Sequence, residues 1–369
     1  MKKALISLFL CTAGALYALD PPRLPFAPPG YVCCRTTRPL IIDGNLGETD
    51  WQRAVWSDAF VDIEGDLKPR PRFNTRVKML WDDHYFYIAG QMEEPDVWAN
   101  LREHDAIIFY DNDFEVFIDP DGDTHRYYEL ELNAFATHWD LFLDRPYRDG
   151  GNPTFFWDIR GLQKGVVVQG SINQPGDIDT GWTIELALPW AVLKEQAPEG
   201  RAPGAGDHWR VNFSRVEWRT RVENGSYVKI TDPATGKSLP EDNWVWAPTG
   251  LINIHYPELW GFVRFSSRPA GDQSEKFVLP EAEQIKWLLR QIYYRQRHLY
   301  QEKGSYAQSW SGLKLQLDRP AGCQWPPRLY AGPESWEAVL TASDGDIAWH
   351  IRHDGLIWPT ASKKERDHK

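Results

Sequence analysis

The chain is 369 residues long, 42% hydrophobic and 25% charged, enough for two packed cores and far from the composition of a disordered chain. Its formal net charge of -11 argues against nucleic acid and anionic membrane surfaces as partners. Tryptophan is unusually frequent at 19 residues, 13 of them between Trp51 and Trp260, and aromatics in that number point first to a sandwich core.

Met1–Ala18 carries Lys2 and Lys3, an apolar run from Ala4 to Leu16 and a small residue at its end, the pattern of a secretory signal. Its removal takes the net charge from -11 to -13, and no other stretch approaches the ~20 apolar residues of a membrane span. The expectation is an exported protein, periplasmic or extracellular, with no transmembrane segment and no nucleic-acid partner. Residues 19–38 are Pro-rich (Pro21, Pro22, Pro25, Pro28, Pro29) and read as an extended leader. Cys33, Cys34 and Cys323 then remain, an odd number. A bridge from one of the vicinal pair to Cys323 and three buried free thiols are both open.

The first strand is expected at Pro39–Asp43 and a short helical turn between Glu48 and Val55. Alternating runs at Thr75–Trp81 and Tyr85–Met92 flank Asp82-Asp83-His84, a hairpin signal. From Asp113 the chain alternates: Asp113, Glu115 and Phe117 point one way, Phe114, Val116 and Ile118 the other. After the Pro120-Asp-Gly-Asp123 turn, Tyr127, Glu129, Glu131 and Asn133 alternate with Tyr128, Leu130 and Leu132. The pair reads as a hairpin with one apolar and one acidic face.

Further strands are expected in Asn133–Leu143 and at Trp157–Leu162, Val166–Ile172, Trp182–Leu188 and Trp209–Glu217. Asn224–Asp242 reads as a long polar loop. Roughly ten short strands with turn clusters between them predict an all-β, two-sheet β-sandwich over residues 39–266. A small α+β region over 276–360 follows. Within it, Pro280–Lys303 has apolar residues at helical spacing, Glu281 and Glu283 early, Lys303 late and Gly304 as a stop. Strands are expected there at Gly312–Leu317, Ser335–Ala342 and Asp346–His353, and the tail from Lys363 is charged. This region is open to a protein partner.

Six stretches, in order, resemble the family 9 carbohydrate-binding modules: Ile41–Trp51, Val77–Asp83, Asp113–Asp119, Trp182–Trp190, Trp209–Phe213 and Pro257–Gly261. The resemblance implies a jelly-roll, DOMON-like sandwich that binds glycans at chain ends, with calcium holding its loops, beside xylanase modules. It also implies a sugar clamped between two Trp side chains, and here the sequence departs. Phe109 or Tyr110 falls near the first clamp position, Ile254 or His255 at the second, Glu131 on the family's binding Arg, and Glu94 on a binding Asp. The carbohydrate-binding residues expected from this placement are Glu94, Trp98, Tyr110, Asn112, Glu115 and His255, the aromatics stacking on sugar and the acids accepting from its hydroxyls.

Asp119, Asp121 and Asp123 with Gly122 suit calcium, which takes several oxygens from a tight loop, and suit equally a plain acidic turn. The pairs Asp113/Glu115 and Glu129/Glu131 raise glycoside hydrolysis, since residues two apart on a strand are about 6.5 Å apart and a hydrolase needs roughly 5 to 9.5 Å. Arg210 and Arg215 are the expected partners of those acids. About 100 residues beyond the sandwich are too few for a ~250-residue barrel, so the expectation is binding without catalysis. A structural or partner-binding sandwich is the alternative. Haem held through Met79 or Met92 is a further one.

Overall fold

The computed structural model describes residues 21–361; the expected signal segment Met1–Ala18 and the charged tail lie outside them. The sandwich comprises β1 (Gly30–Arg35), α1 (Thr49–Arg53), β2 (Val61–Asp62), β3 (Thr75–Trp81), β4 (Tyr85–Glu93), β5 (Asp113–Asp119), β6 (Tyr127–Asn133), β7 (His138–Leu143), β8 (Pro153–Thr154), β9 (Gln163–Gln169) and β10 (Gly181–Pro189). It continues through α2 (Trp190–Leu193), β11 (His208–Glu217), β12 (Thr220–Glu223), β13 (Ser226–Lys229), β14 (Asp242–Val245) and β15 (Gly261–Pro269). The C-terminal region holds α3 (Glu281–Lys303), α4 (Trp310–Leu313), β16 (Arg328–Ala331), β17 (Trp336–Thr341), β18 (Ile347–Arg352) and β19 (Ile357–Ala361).

Hydrogen bonding follows the order β8-β7-β6-β5-β11-β15-β1-β3-β4-β10-β9, with β14 on β11 and β2 on β14. The path doubles over at β11, whose start pairs with β15 and whose end pairs with β14. Phe114, Val116, Ile118 and Leu130 from one half meet Val77, Met79, Ile88, Ile184 and Leu186 from the other in a single core. Apolar alternation on both layers drives this closure, because each sheet has one face to remove from water. Gly90 is required where the layers touch: a Cβ there would lie 2.8 Å from Ile184 and 3.2 Å from the Phe114 ring. Met79 and Met92 are core residues, which removes them as haem ligands.

Two stretches of the resemblance fix each other. The buried Glu185 of β10 accepts from Trp51 Nε1 at 2.7 Å and from the backbone N–H groups of Asp43 and Gly44 at 3.0 and 3.1 Å. That is why Ile41–Asp43 forms no strand: its turn is pinned over the outer face of the sheet by a carboxylate. Burial lifts the Glu185 carboxyl to about 7.

The strand that the sequence reading placed in a leader is central. β1 pairs in parallel with β15 and β3 and buries Tyr31 and Cys33, so the sandwich begins at Gly30. Cys33 lies in the sandwich core, Cys34 on the opposite face of β1 and Cys323 in the C-terminal core. All three are free thiols, because strand alternation sends the vicinal pair to different faces. Trp157–Leu162 is a turn rather than a strand, its Trp157 stacked on Tyr128 at 5.0 Å. The expected loop Asn224–Asp242 begins with β13, paired to β12. Gly312–Leu317 is not a strand either; Ser309 caps the α4 turn through an Oγ that accepts from the Gly312 N–H at 3.3 Å.

The helix α3 runs to Gly304, whose φ of +65° closes it in the left-handed conformation. Leu289, Ile292 and Tyr293 pack on Trp336, Leu340 and Ile351 of the antiparallel β16-β17-β18-β19 sheet as a second core. A buried ionic seam joins the two parts. Arg148 donates to both Glu258 oxygens at 2.9 and 2.7 Å, and Arg290 Nε stands 3.8 Å from the same carboxylate. Tyr294 donates to Glu258 at 2.5 Å, Arg297 pairs with Asp149 at 3.3 Å, and Arg210 pairs with Glu283. No helix among the described residues is long and apolar enough to cross a membrane.

Candidate functional site

The outer face of β5, β6 and β11 carries the acids. Register places Glu115 opposite Glu131 and Asp113 opposite Asn133, with Ser214 of β11 opposite Glu115 on the other side. One carboxylate oxygen from each of Asp113, Glu115 and Glu131 lies within 4.8 Å of the others, and all three residues are buried, as is Glu129. Burial first, then the neighbouring carboxylates, holds Asp113, Glu129 and Glu131 well above the ordinary range, and burial lifts Glu115 to about 7. The expected arginine partners are elsewhere. Arg215 pairs in register with Phe114, hence projects to the other face, where it reaches Glu217 at 2.8 Å and Glu94 at 3.3 Å. Arg210 is turned to Glu283 of α3. Among the described residues no Lys or Arg forms an ion pair with Asp113, Glu115, Glu129 or Glu131.

Two segments roof this face. Ile108, Phe109 and Ile254 join Phe117, Tyr127, Trp139 and Trp260 in an apolar cluster. Phe109 and Ile254, each one of the two residues expected at a clamp position, are thus half-buried packing partners rather than free flat surfaces, whereas the alternative at the first position, Tyr110, is exposed. The Phe109 N–H donates to Glu131 at 3.0 Å, and its carbonyl accepts from Trp218 Nε1 at 2.9 Å.

The six residues expected around one pocket are distributed along this face. Trp98 and Tyr110 meet Trp218 around the Lys229 ammonium, which lies 3.3 Å from the Trp218 ring centroid, 5.7 Å from Tyr110 and 5.9 Å from Trp98. Trp98 is buried with its Nε1 unpartnered, whereas Tyr110 is 53% exposed. Desolvation lowers Lys229 to about 8. Asn112 and Glu94 sit behind: Asn112 Nδ2 donates to Glu94 at 2.7 Å, Trp182 Nε1 donates to its other oxygen at 2.7 Å, and Asn112 Oδ1 accepts from the Trp218 N–H at 2.8 Å. Both line a cleft of about 230 Å³ with Phe73, Glu217 and Trp218. With its oxygens already engaged, Glu94 is a positioning group, not the free acceptor expected of it. Glu115 belongs to the acid cluster. His255 is at the far end, 2.9 Å from the Tyr127 hydroxyl and edge-on to Tyr147 at 4.6 Å, and burial pushes its imidazole down to about 3.

Trp218, Lys229 and Tyr147 were missed by sequence reasoning. The first two flank a hairpin hidden in a polar, Gly-containing stretch; Tyr147 sits in an expected loop with no periodicity to mark it.

At the other end of β5, Asp119, Asp121 and Asp123 converge within 4.8 Å. Gly122 and Thr124 N–H groups donate to the two Asp119 oxygens at 3.0 and 2.9 Å, and Arg126 pairs with Asp121 at 3.3 Å and Asp123 at 3.1 Å. Burial and then the two neighbouring acids hold Asp119 well above the usual range, an excess of negative charge that a hard cation would relieve. The donor set fits calcium.

Residues 42–206 match the family described as carbohydrate family 9 binding domain-like. Exoglucanase XynX of Acetivibrio thermocellus and endo-1,4-beta-xylanase A of Thermoanaerobacterium saccharolyticum are each 22% identical over 116 residues, 31% of this chain. The matched region spans only 9% and 8% of the length of those two proteins. A solved carbohydrate binding module family 9 from Caldicellulosiruptor kristjanssonii, in complex with cellotriose, is 13% identical with a TM-score of 0.42, covering 68% of this chain and 100% of that one. Over residues 42–206, the stretch that holds β5, β6 and the acids they carry, the chain is thus similar to the carbohydrate family 9 binding domain-like family.

Proposed function

We propose that the chain is an exported carbohydrate-binding protein that recognises a poly- or oligosaccharide in polysaccharide use, without catalysis of its own. The observation that carries this reading is the acid face of the matched domain, where buried carboxylates without arginine partners lie under the segment that carries the exposed Tyr110 and near Tyr147. Tyr110, and Tyr147 beyond Glu129 and Glu131, offer flat apolar surface, and Glu115 and its neighbours offer acceptors for sugar hydroxyls. Trp98, Asn112, Glu94 and His255 support those groups from behind and from the far end.

Calorimetry against plant, algal and host glycans tests this, with reducing-sugar release measured on the same samples. Tyr110→Ala and Glu115→Gln are expected to weaken binding about tenfold or more, a loss of roughly 1.4 kcal/mol each, while no sugar is released. Release that disappears in Glu115→Gln makes the protein a hydrolase instead. If nothing binds at millimolar glycan, the partner-binding reading takes over. One observation favours that second reading: Phe109 and Ile254, a candidate for each clamp position, are packed into the apolar cluster over the acids. Tyr330 and Ile347, exposed on the C-terminal sheet, are then the place for a protein partner.

Calcium at Asp119, Asp121 and Asp123 is part of the same proposal. Chelation is expected to lower the melting temperature, since an ion bound only by the folded state stabilises it by mass action. Asp121→Asn should remove the difference between chelated and calcium-loaded samples; an identical melt with and without chelator in the unaltered chain leaves a plain turn.

A further inference from the structure

On the opposite side of β7 from the acid face, three separate segments bring His104, Asp105, Asp140 and Asp158 together. One ligand atom from each lies within 4.8 Å of all the others. His104 Nε2 is 3.3 Å from Asp140 Oδ1, 3.4 Å from Asp105 Oδ1 and 3.7 Å from Asp158 Oδ1. The corners of a tetrahedron with bonds of about 2.0–2.2 Å lie roughly 3.3–3.6 Å apart, and the three separations from His104 Nε2 are close to that edge, with every other pair within 4.8 Å. An octahedron with calcium's bonds of about 2.3–2.6 Å has nearly the same edge, so the choice of ion rests on the ligands: an imidazole nitrogen and four donor groups, where calcium takes six or more oxygens.

Two features show the atoms held for such a role. Asp140 is buried and its second oxygen accepts from the Ile159 N–H, which aims the first at His104. Asp105 Oδ1 is buried and accepts no hydrogen bond, a costly arrangement for a carboxylate unless a cation meets it. His138 stacks on His104 with ring centroids 4.3 Å apart; its Nδ1 accepts from the Lys164 ammonium, which leaves the proton on Nε2, 3.7 Å from the same Asp140 oxygen, so His138 braces the site and is not one of its ligands. His104 and Asp158 are about half exposed, at 46% and 53% of their side chains, so an ion has an entry path.

We propose that His104, Asp105, Asp140 and Asp158 bind one divalent transition-metal ion of the zinc class, selected over calcium by the imidazole nitrogen and the small number of ligands. The ion ties the loop before β5 to β7 and to the turn that follows β8.

Zinc titration into the untagged full chain in excess calcium, which occupies any all-oxygen site, tests this. Expected is one equivalent of Zn²⁺ bound at micromolar concentration, with Co²⁺ at the same site giving visible absorption bands of a tetrahedral N/O ligand field. His104→Ala and Asp158→Asn, both at half-exposed positions, should each weaken binding at least tenfold while leaving the metal-free melting temperature unchanged. Zinc that fails to bind at 100 micromolar overturns the proposal and leaves an ion-pair network. Equal binding by His104→Ala and the unaltered chain overturns it too, by placing the ion elsewhere.

Discussion

Arg148→Met is expected to destabilise the protein by about 3 to 5 kcal/mol, the cost of stripping one partner from a buried ion pair. For a chain of this size that is a fall of about 4 to 6 °C in melting temperature. Arg148 donates to both Glu258 oxygens and to the His255 carbonyl at 3.0 Å, and its guanidinium lies 4.0 Å from the Tyr256 ring. Burial works to raise the Glu258 carboxyl, but Arg148 and Arg290 overcome it and hold it down at about 2. Without Arg148 the carboxylate keeps only Arg290 and the Tyr294 hydroxyl, so most of its desolvation is left uncompensated. The double change Arg148→Met with Glu258→Met should recover more than half of the loss, because two apolar side chains leave no orphaned charge. A single variant within 1 kcal/mol of the original would show that the seam does not hold the C-terminal region to the sandwich.

Stability should also fall as pH rises from about 5 to 8. The cause is a set of buried carboxyls whose folded pKa exceeds the unfolded one. Burial lifts Glu115 from 4.5 to about 7 and Glu217 to about 8, and holds Asp113, Glu129 and Glu131 well above the ordinary range. The folded chain therefore binds more protons than the unfolded one in that window, and unfolding releases them, which lowers stability with every step upward in pH. Each unit of displacement is worth about 1.4 kcal/mol, so Glu115 alone contributes about 3 kcal/mol between pH 4.5 and 7. On the acid side the sign reverses, because Glu258 and Asp354 are depressed and their contribution is lost below about pH 4. The melting temperature of the chelated chain is expected to peak near pH 5, and Glu115→Gln should flatten the alkaline limb. A melting temperature that rises from pH 5 to pH 8 would show that these acids carry compensating cations.

What the sequence determined by itself is what repeats locally. Two-residue alternation in Thr75–Trp81, Tyr85–Met92, Asp113–Asp119 and Tyr127–Asn133 defines strands within a residue or two of the observed ones, since a strand needs only its neighbours to set its faces. Helix α3 was equally legible from its apolar spacing, its charged ends and Gly304. The tertiary structure decided everything that depends on which face meets which partner. Gly30–Arg35 is central only because β15 and β3 accept it, and Pro39–Asp43 is a turn only because Glu185, 142 positions from Asp43, takes its backbone donors. The acids lack arginines because register turns Arg215 to the other face and α3 draws Arg210 away, neither of which is written near Glu115. Trp98 and Lys229 meet across more than a hundred residues, as do His104 and Asp158 across about fifty, by the closing of loops over a folded sheet. Period fixes an element; only long-range pairing fixes the company its side chains keep.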